Sequence, residues 1–222
     1  MVVNSKYKFI FVHIPKAAGT SISKNLKKAP GNKNKWLAKT KHETLSDFYF
    51  KVSDRRTFTD KILKLNPENY YTFGFVRNPW DRILSLYQYL KFKKPIKEIE
   101  TIDSFQDFLF QAKDGVDWIK NLSTMRPQAD YFTFDNGSIL INFLGHYEYL
   151  QEDLSKISKE IGLSINIKHL NKSKNSHLDY RNIYETKMVD IVKDLFIDDV
   201  NLFSYEFEKP YPNNRISGQF SR

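Results

Sequence analysis

Two stretches decide the fold: residues 9–21 read FIFVHIPKAAGTS, and residues 70–85 read YYTFGFVRNPWDRILS. Each begins with a run of aromatic and β-branched residues, passes through a turn that contains proline, and continues with apolar residues at helical spacing. Buried strands that each lead through a turn into a helix are typical of an α/β fold with parallel strands. We therefore expect a central, mainly parallel sheet flanked by helices, with anions bound where the carboxyl ends of the strands meet.

The same patterns give bounds for the elements. Residues 1–16 are predicted to contain a single strand, with its apolar run at 9–14, and a second strand is predicted at 70–76. Helices are predicted over residues 21–28, 81–90, 104–111 and 185–196. Asp103 or Ser104 is expected to cap the third of these helices.

Composition limits the class of protein. The 222 residues include 35 Lys and Arg against 26 Asp and Glu, and 41% are hydrophobic. This fits a single domain over residues 1–222, with substrate-side insertions at 27–69 and 93–143 and a flexible tail at 212–222. With no cysteine, disulfides, thiolate metal sites and a cysteine nucleophile are excluded. No apolar stretch approaches roughly 18 residues, so we expect no membrane span and, by default, a cytoplasmic protein.

The formal net charge of +9 favours an anionic partner. Nucleic acid, an acidic glycan and a nucleotide are all open on charge alone, and so is a surface in which lysines only confer solubility. Seven lysines and no acid lie within residues 24–41. This segment either borders a cleft for an anionic glycan or is a solvated basic face.

Residues 13–21 lie between strand and helix, where main-chain N–H groups and the positive helix end attract phosphate or sulfate. Their side chains are small, hydroxylated or cationic: Lys16, Ala17, Ala18, Gly19, Thr20 and Ser21. Gly19 can adopt positive φ, and Lys16 brings a charge to the anion. The loop is not the G-x-x-x-x-G-K-[ST] loop of nucleoside triphosphatases, because its lysine precedes the glycine. A tight turn without a ligand is the alternative.

A second anion pocket is predicted after the second strand. Arg77 follows that strand and Ser85 lies in the next helix, so a guanidinium and a hydroxyl could hold a second phosphate. Asp81 is expected to favour the amino end of the helix, and Arg82 is expected to be an exposed charge. Both are given structural roles.

PKAAGTS after one apolar strand and FVRNPWDRILSLY after another resemble the two cofactor motifs of sulfotransferases that use 3'-phosphoadenosine 5'-phosphosulfate (PAPS). The likeness is to the carbohydrate, heparan sulfate 2-O-like branch (family 2), and residues 145–150 and 171–181 resemble later segments of that family. The resemblance implies a P-loop-like three-layer α/β fold and a PAPS-dependent sulfotransferase. It also implies transfer to a hydroxyl, of a carbohydrate or a glycosylated small molecule, with no metal and no nucleic-acid partner.

The resemblance also implies roles for residues. Residues 16–21 would hold the 5'-phosphosulfate, and Arg77 and Ser85 the 3'-phosphate. Residues 171–181 are similar to a loop that closes over the nucleotide, so three further cofactor contacts are implied: Ser173, Tyr180 and Arg181. The alternative for this loop is a solvated charged segment.

Sulfuryl transfer needs a base for the acceptor proton and a cation for the departing phosphate. Lys16 fits the second role. In the 2-O branch the histidine that acts as the base lies between the two cofactor motifs. His42 is the one histidine of this chain found there, so the resemblance implies that His42 is the base. Relatives carry glycine before that histidine where this chain has Lys41, and Glu43 is the reserve base. His13 either bonds a sulfonate oxygen or only ends the strand.

Two other functions are open on the residues alone. A nucleotide-dependent phosphotransferase would use the same kind of loop with Mg²⁺ and a triphosphate. A noncatalytic polyanion-binding module would use only the basic charge.

Overall fold

The computed structural model describes residues 1–32, 42–53, 67–134, 139, 141–165, 167, 179–209 and 211–212. Ser173, residues 33–41 of the lysine-rich segment and residues 213–222 of the tail lie outside this part of the chain. The chain divides into two compact units. The first unit comprises Met1–Val76, Gln128–Asn171 and Ile216–Arg222, and the second comprises Arg77–Pro127 and Lys172–Arg215.

A four-stranded sheet forms the centre of the first unit. Its strands are β1 (Val2–Asn4), β2 (Phe9–Val12), β3 (Tyr71–Val76) and β4 (Phe143–His146), in that spatial order. β1 is antiparallel to β2, whereas β2, β3 and β4 run parallel. The prediction of a mainly parallel sheet within an α/β fold is confirmed. Because β2 and β3 are parallel neighbours, their carboxyl ends lie at the same edge of the sheet.

The sheet is buried because its strands are almost wholly apolar. All residues of β2 are buried, and every residue of β3 after Tyr71 is buried too. Phe73 of β3 packs between Phe9 and Phe11 of β2, with ring centroids 5.8 Å and 5.3 Å away. A continuous apolar run is what a parallel strand covered on both faces requires.

The prediction of a single strand at the amino terminus is wrong. The segment forms a hairpin, because Asn4 ends β1 and its side chain bonds the main chain of the turn that follows. Its Oδ1 accepts hydrogen bonds from the N–H groups of Lys6 and Tyr7, both at 3.0 Å. An asparagine that bonds the main chain two or three residues ahead is a turn former.

The described helices are α1 (Gly19–Leu26), α2 (Leu45–Ser53), α3 (Pro79–Gln88), α4 (Phe105–Lys113), α5 (Asp117–Lys120), α6 (Leu150–Ile161), α7 (Thr186–Leu195) and α8 (Ile197–Leu202). Short 3₁₀ turns lie at Pro67–Asn69, Lys97–Thr101, Ala129–Tyr131, Tyr147–Tyr149 and Tyr180–Ile183, and a π turn, Tyr89–Lys93, follows α3. Within the described ranges, no helix combines the length and the apolar character that crossing a bilayer demands.

The helix starts are set by caps. Asn78 caps α3, since its Oδ1 accepts from the N–H of Trp80 at 3.1 Å, and Pro79 occupies the first helical position. Ser104 rather than Asp103 caps α4: its Oγ accepts from the N–H of Asp107 at 3.0 Å. α3 therefore begins two residues before its predicted start.

Arg82 is not an exposed charge, so that prediction is wrong. Its side chain is 1% exposed, and its Nη1 lies 3.6 Å from Oδ2 of the fully buried Asp199. Nη2 donates to the carbonyl of Arg126 at 3.0 Å, and the guanidinium lies over the ring of Phe196. A buried arginine needs this set of partners, and residues 126, 196 and 199 are too distant in sequence for a local pattern to reveal them.

Candidate active site

The loop that joins β2 to α1, residues 14–19, is called the anion loop below, and it has an unusual main-chain conformation. Lys16 and Ala18 have φ of 66° and 59°, in the left-handed region. This region costs a residue with a side chain about 1–2 kcal/mol. Positive φ in a loop turns successive N–H groups to one side, which is how main-chain nests bind anions. Strain of this kind is concentrated at ligand sites.

The structure corrects the predicted role of Gly19. Its φ is not positive, since positive φ falls on Lys16 and Ala18 instead. A Cβ on Gly19 would lie 2.5 Å from Nε2 and 2.9 Å from Cγ of His13, closer than atoms can pack. Glycine is thus required at position 19 because the ring of His13 fills the space of a side chain.

The first turn of α1 is suited to an anion. Ala18 is the N-cap residue, and within α1, which is described in full, no side chain caps the helix and no acidic residue lies in the first turn. The positive end of the helix dipole is therefore not opposed by a local carboxylate. Thr20 is exposed, and Lys16 and Ser21 are partly exposed, whereas Ala17 and Gly19 are buried.

His13 lies where β2 ends and is 2% exposed. Its Nδ1 is 2.9 Å from Oγ of Ser23, a buried residue of α1. This bond joins the strand end to the helix across the anion loop. Ser23 was not predicted as part of the site, because nothing local in the sequence links residues ten positions apart.

His42 packs directly against His13. The two rings meet edge to face, with centroids 4.8 Å apart and an interplanar angle of 84°. Nδ1 of His42 is 3.1 Å from the carbonyl oxygen of His13. A carbonyl oxygen can only accept, so Nδ1 is the donor, and in the neutral ring Nε2 carries the lone pair. The predicted base thus lies in the first unit beside the residue that packs on the anion loop.

Glu43, the reserve base, is buried, whereas His42 is partly exposed. A base must reach the proton that it removes, and the partly exposed histidine is better placed to do so. Across the described ranges, no group of three or more His, Asp and Glu side chains is arranged to hold a metal ion.

In the second unit, Arg77 is held against the start of α3. Its Nε donates to Oδ2 of Asp81 at 2.8 Å, and its Nη2 lies 2.7 Å from the same oxygen. Ser85 lies one turn further along α3 and is partly exposed. Residues four apart share a helix face, so the guanidinium, Asp81 and Ser85 follow one another along one side of α3.

Asn78 anchors this turn to distant parts of the second unit. Its Nδ2 donates to the hydroxyl of Tyr180 at 3.2 Å, and that hydroxyl donates to the carbonyl of Phe207 at 2.7 Å. Tyr180 is 6% exposed. The first of these hydrogen bonds is buried, and the second is partly buried. Asn78 was not predicted as a site residue, although Asn before Pro is a recognised start signal for a helix.

Aromatic residues extend this anchorage. The indole N–H of Trp80 donates to the carbonyl of Val189 at 3.0 Å, and the hydroxyl of Tyr184 donates to the carbonyl of Trp80 at 2.7 Å. The ring of Phe207 packs on Trp80, Tyr180 and Tyr184. Burial raises the pKa of Tyr184 well above 10, so this hydroxyl stays a hydrogen-bond donor through the neutral range.

Arg181 forms a two-pronged ion pair with Asp179. Nε of Arg181 donates to both carboxylate oxygens, each at 2.9 Å, and Nη2 also contacts Oδ2. Nη1 donates to the carbonyl of Glu208 at 2.7 Å. Hydrogen bonds from Arg181 hold the pKa of Asp179 below its usual value.

A mainly parallel sheet in an α/β fold, with a strained, cation-bearing loop at a strand end, is typical of enzymes that handle phosphate or sulfate groups. A family model described as the sulfotransferase family matches residues 1–206. The chain therefore belongs to the sulfotransferase family, which confirms the resemblance drawn from the two motifs.

Individual relatives cover smaller parts of the chain. An uncharacterized protein of Archaeoglobus fulgidus is 32% identical over 96 residues, which are 43% of this chain and 71% of that protein. Mouse carbohydrate sulfotransferase 14 is 30% identical over 88 residues, 40% of this chain and 22% of the mouse enzyme. The chain thus aligns with less than a quarter of the mouse enzyme's length. No solved structure gives a significant match.

Proposed function

We propose that this chain is a PAPS-dependent sulfotransferase that moves a sulfuryl group to a hydroxyl of a carbohydrate or of a glycosylated small molecule. The observation that carries the proposal is the arrangement of the first unit, where a strained anion loop and His42 both pack on His13. Membership in the sulfotransferase family supports the reaction class.

Residues 16–21 are proposed to bind the 5'-phosphosulfate of the donor. The main-chain N–H groups of the loop and the hydroxyls of Thr20 and Ser21 would donate to its oxygens. When bound, PAPS would supply the sulfuryl group, and the oxygen of the departing 5'-phosphate would keep the electron pair of the broken sulfur–oxygen bond. The ammonium of Lys16 would stabilise the charge that develops on this phosphate.

His42 is proposed to take the acceptor's proton on Nε2 as the acceptor oxygen forms its bond to sulfur. The hydrogen bond to the carbonyl of His13 supports this role, because a donor at Nδ1 leaves the lone pair of the neutral ring on Nε2. Glu43 is the alternative base.

Arg77 and Ser85 are proposed to bind the 3'-phosphate, with Arg77 oriented by Asp81. Tyr180 and Arg181 would act on the same end of the site. Their observed contacts favour a supporting role, since they tie residues 78, 179, 207 and 208 together. Ser173 stays a prediction, as does a cytoplasmic location.

The acceptor class is inferred from a relative and from the charge of the chain. The mouse relative is by its name a carbohydrate sulfotransferase, and the net charge of +9 favours an acidic acceptor. We therefore propose a sugar hydroxyl, on an anionic glycan or glycosylated molecule.

Thermal unfolding in the presence of nucleotides tests the donor. At 100 times its dissociation constant, 3',5'-ADP should stabilise the protein by about 2.7 kcal/mol. For a chain of this size that raises Tm by about 5–11 °C. Lys16→Ala and Arg77→Ala should lose the shift, whereas Lys24→Ala, which removes an exposed charge from α1, should keep it. A shift with ATP and Mg²⁺ alone would indicate a phosphotransferase, and no nucleotide effect a polyanion-binding module.

Transfer of ³⁵S from labelled PAPS to desulfated heparan tests the base. His42→Ala should bind 3',5'-ADP like the wild type but transfer about 100- to 10,000-fold more slowly. If His42→Ala transfers at the wild-type rate and Glu43→Gln does not, Glu43 is the base.

A further inference from the structure

His13 contacts both the anion loop and the proposed base, His42. Its ring fills the space above Gly19 of the anion loop, and the same ring meets His42 edge to face. Its carbonyl accepts the Nδ1–H of His42, and its Nδ1 bonds Ser23 of α1. A single residue thus touches the loop glycine, the first helix and the proposed base.

The carbonyl of His13 determines where the proton of His42 is. A neutral imidazole holds its one proton on either nitrogen, and the hydrogen bond made by one nitrogen decides which. Here the acceptor at Nδ1 is a main-chain oxygen, which no titration removes. The proton is therefore kept on Nδ1, and the lone pair on Nε2.

The ring of His13 restrains the orientation of His42. The ring of His13 is buried, so it cannot rotate into solvent, and its Nδ1 lies 2.9 Å from Oγ of Ser23 in α1. The edge-to-face contact at 4.8 Å then limits the tilt of the His42 ring. A catalytic group held in this way is in its productive orientation in most molecules.

We propose that His13 is a positioning residue for His42: its carbonyl selects the tautomer with the proton on Nδ1, and its ring, anchored by Ser23, holds the imidazole so that Nε2 is the proton acceptor. The same ring packs on Gly19, so the anion loop and the base are positioned by one residue. This inference rests on the proposed role of His42 as the base.

The test is a nitrogen spectrum of the protein labelled with ¹⁵N in histidine, recorded at neutral to mildly alkaline pH. The signals of His42 are identified as those missing from His42→Gln. We expect Nδ1 to show the shift of a protonated nitrogen and Nε2 the shift of an unprotonated one. The reverse pattern, or an average of the two tautomers, overturns the proposal, and this result needs no variant of His13.

Two variants of His13 separate the ring from the carbonyl. His13→Ala keeps the carbonyl but removes the ring that holds His42 against it, so the Nδ1 hydrogen bond should form only part of the time and the two shifts of His42 should move toward the tautomer average. His13→Phe restores a ring of similar size without nitrogen atoms, and should return the shifts most of the way to the wild-type pattern. A residue important only for folding would change Tm and leave these shifts unchanged, which would also overturn the proposal.

Turnover gives a second readout. His13→Ala should slow ³⁵S transfer from PAPS to desulfated heparan by about 10- to 100-fold, as expected when a catalytic group is misplaced. His13→Phe should recover most of that loss. If His13→Phe is as slow as His13→Ala while the shifts of His42 in it keep the wild-type pattern, the imidazole of His13 acts on the substrate itself and the positioning role is wrong. Failure of the wild type to bind 3',5'-ADP would instead refute the proposed function, and leaves the tautomer result readable.

Discussion

Gly19→Ala is predicted to destabilise the protein through the ring of His13. The new methyl carbon would lie 2.5 Å from Nε2 and 2.9 Å from Cγ of that ring. The ring has no easy escape, because it is bonded to Ser23 and packed on His42. Overpacking of this kind costs about 1–3 kcal/mol. Replacing glycine by alanine at an ordinary φ regains about 0.4–1 kcal/mol of chain entropy.

With mid-range values, about 2 kcal/mol of overpacking less about 0.7 kcal/mol of chain entropy, the net effect should be a loss of about 1.3 kcal/mol in the free energy of unfolding. With about 2–4 °C of Tm per kcal/mol for a chain of this size, Tm should fall by about 3–5 °C. Urea unfolding and a thermal scan of the purified variant measure both quantities.

A double-mutant cycle with His13→Ala makes this prediction specific. In the His13→Ala background the methyl group meets no ring, so Gly19→Ala should be neutral or stabilising. Gly115→Ala is the control, because Gly115 has φ of 73° and a Cβ added there would meet nothing within 4 Å. Its cost should come from main-chain strain and be the same in both backgrounds. If Gly19→Ala costs the same with and without the His13 ring, the explanation given for this glycine is wrong.

Three further predictions concern the second unit. Arg82→Ala should lower the free energy of unfolding by about 3–5 kcal/mol, because it leaves Asp199 buried without its ion-pair partner. In urea unfolding, the double variant Arg82→Met with Asp199→Leu should recover most of this loss. If the double variant is as unstable as Arg82→Ala, the explanation is wrong. Burial raises the pKa of Tyr184 above its unfolded value of 10.0, so the stability that the neutral hydroxyl contributes is present below pH 10 and is lost as the pH rises further. Tyr184→Phe should therefore reduce the fall of Tm with pH above pH 10 in thermal scans. An unchanged fall of Tm would refute this prediction. Arg181 lowers the pKa of Asp179 below 3.8, so the stability that this carboxylate contributes is present above pH 3.8 and is lost as the pH falls. Arg181→Ala should raise this pKa most of the way to its ordinary value in a carboxyl-carbon NMR titration, because only the main-chain N–H bond remains. No change would show that the side chain of Arg181 is not the cause.

The strands and helices that position the site could largely be predicted because their signals are local. Continuous apolar runs mark strands buried on both faces, and helical spacing marks α3 and α7. The hairpin at the amino terminus was missed because one side chain, Asn4, turns the chain. A polar residue in a short strand gives no periodic signal.

The site was predictable in its residue types and less so in its contacts. The motif predicted a small, cationic loop at residues 16–21, but positive φ falls on Lys16 and Ala18 and not on Gly19. The glycine is instead explained by the ring of His13, which only the folded structure brings there. The burial of Arg82 and the Ser23 bond also depend on residues distant in sequence, and local patterns carry no information about them.

Calorimetric titration of the wild-type chain with 3',5'-ADP tests the central claim most directly, because it asks whether one ligand with two anionic ends is bound. We expect one molecule bound per chain, loss of binding in Lys16→Ala and in Arg77→Ala, and unchanged binding in His42→Ala. A wild-type protein that gives no binding heat with 3',5'-ADP at any workable temperature, while ATP with Mg²⁺ does, would contradict it.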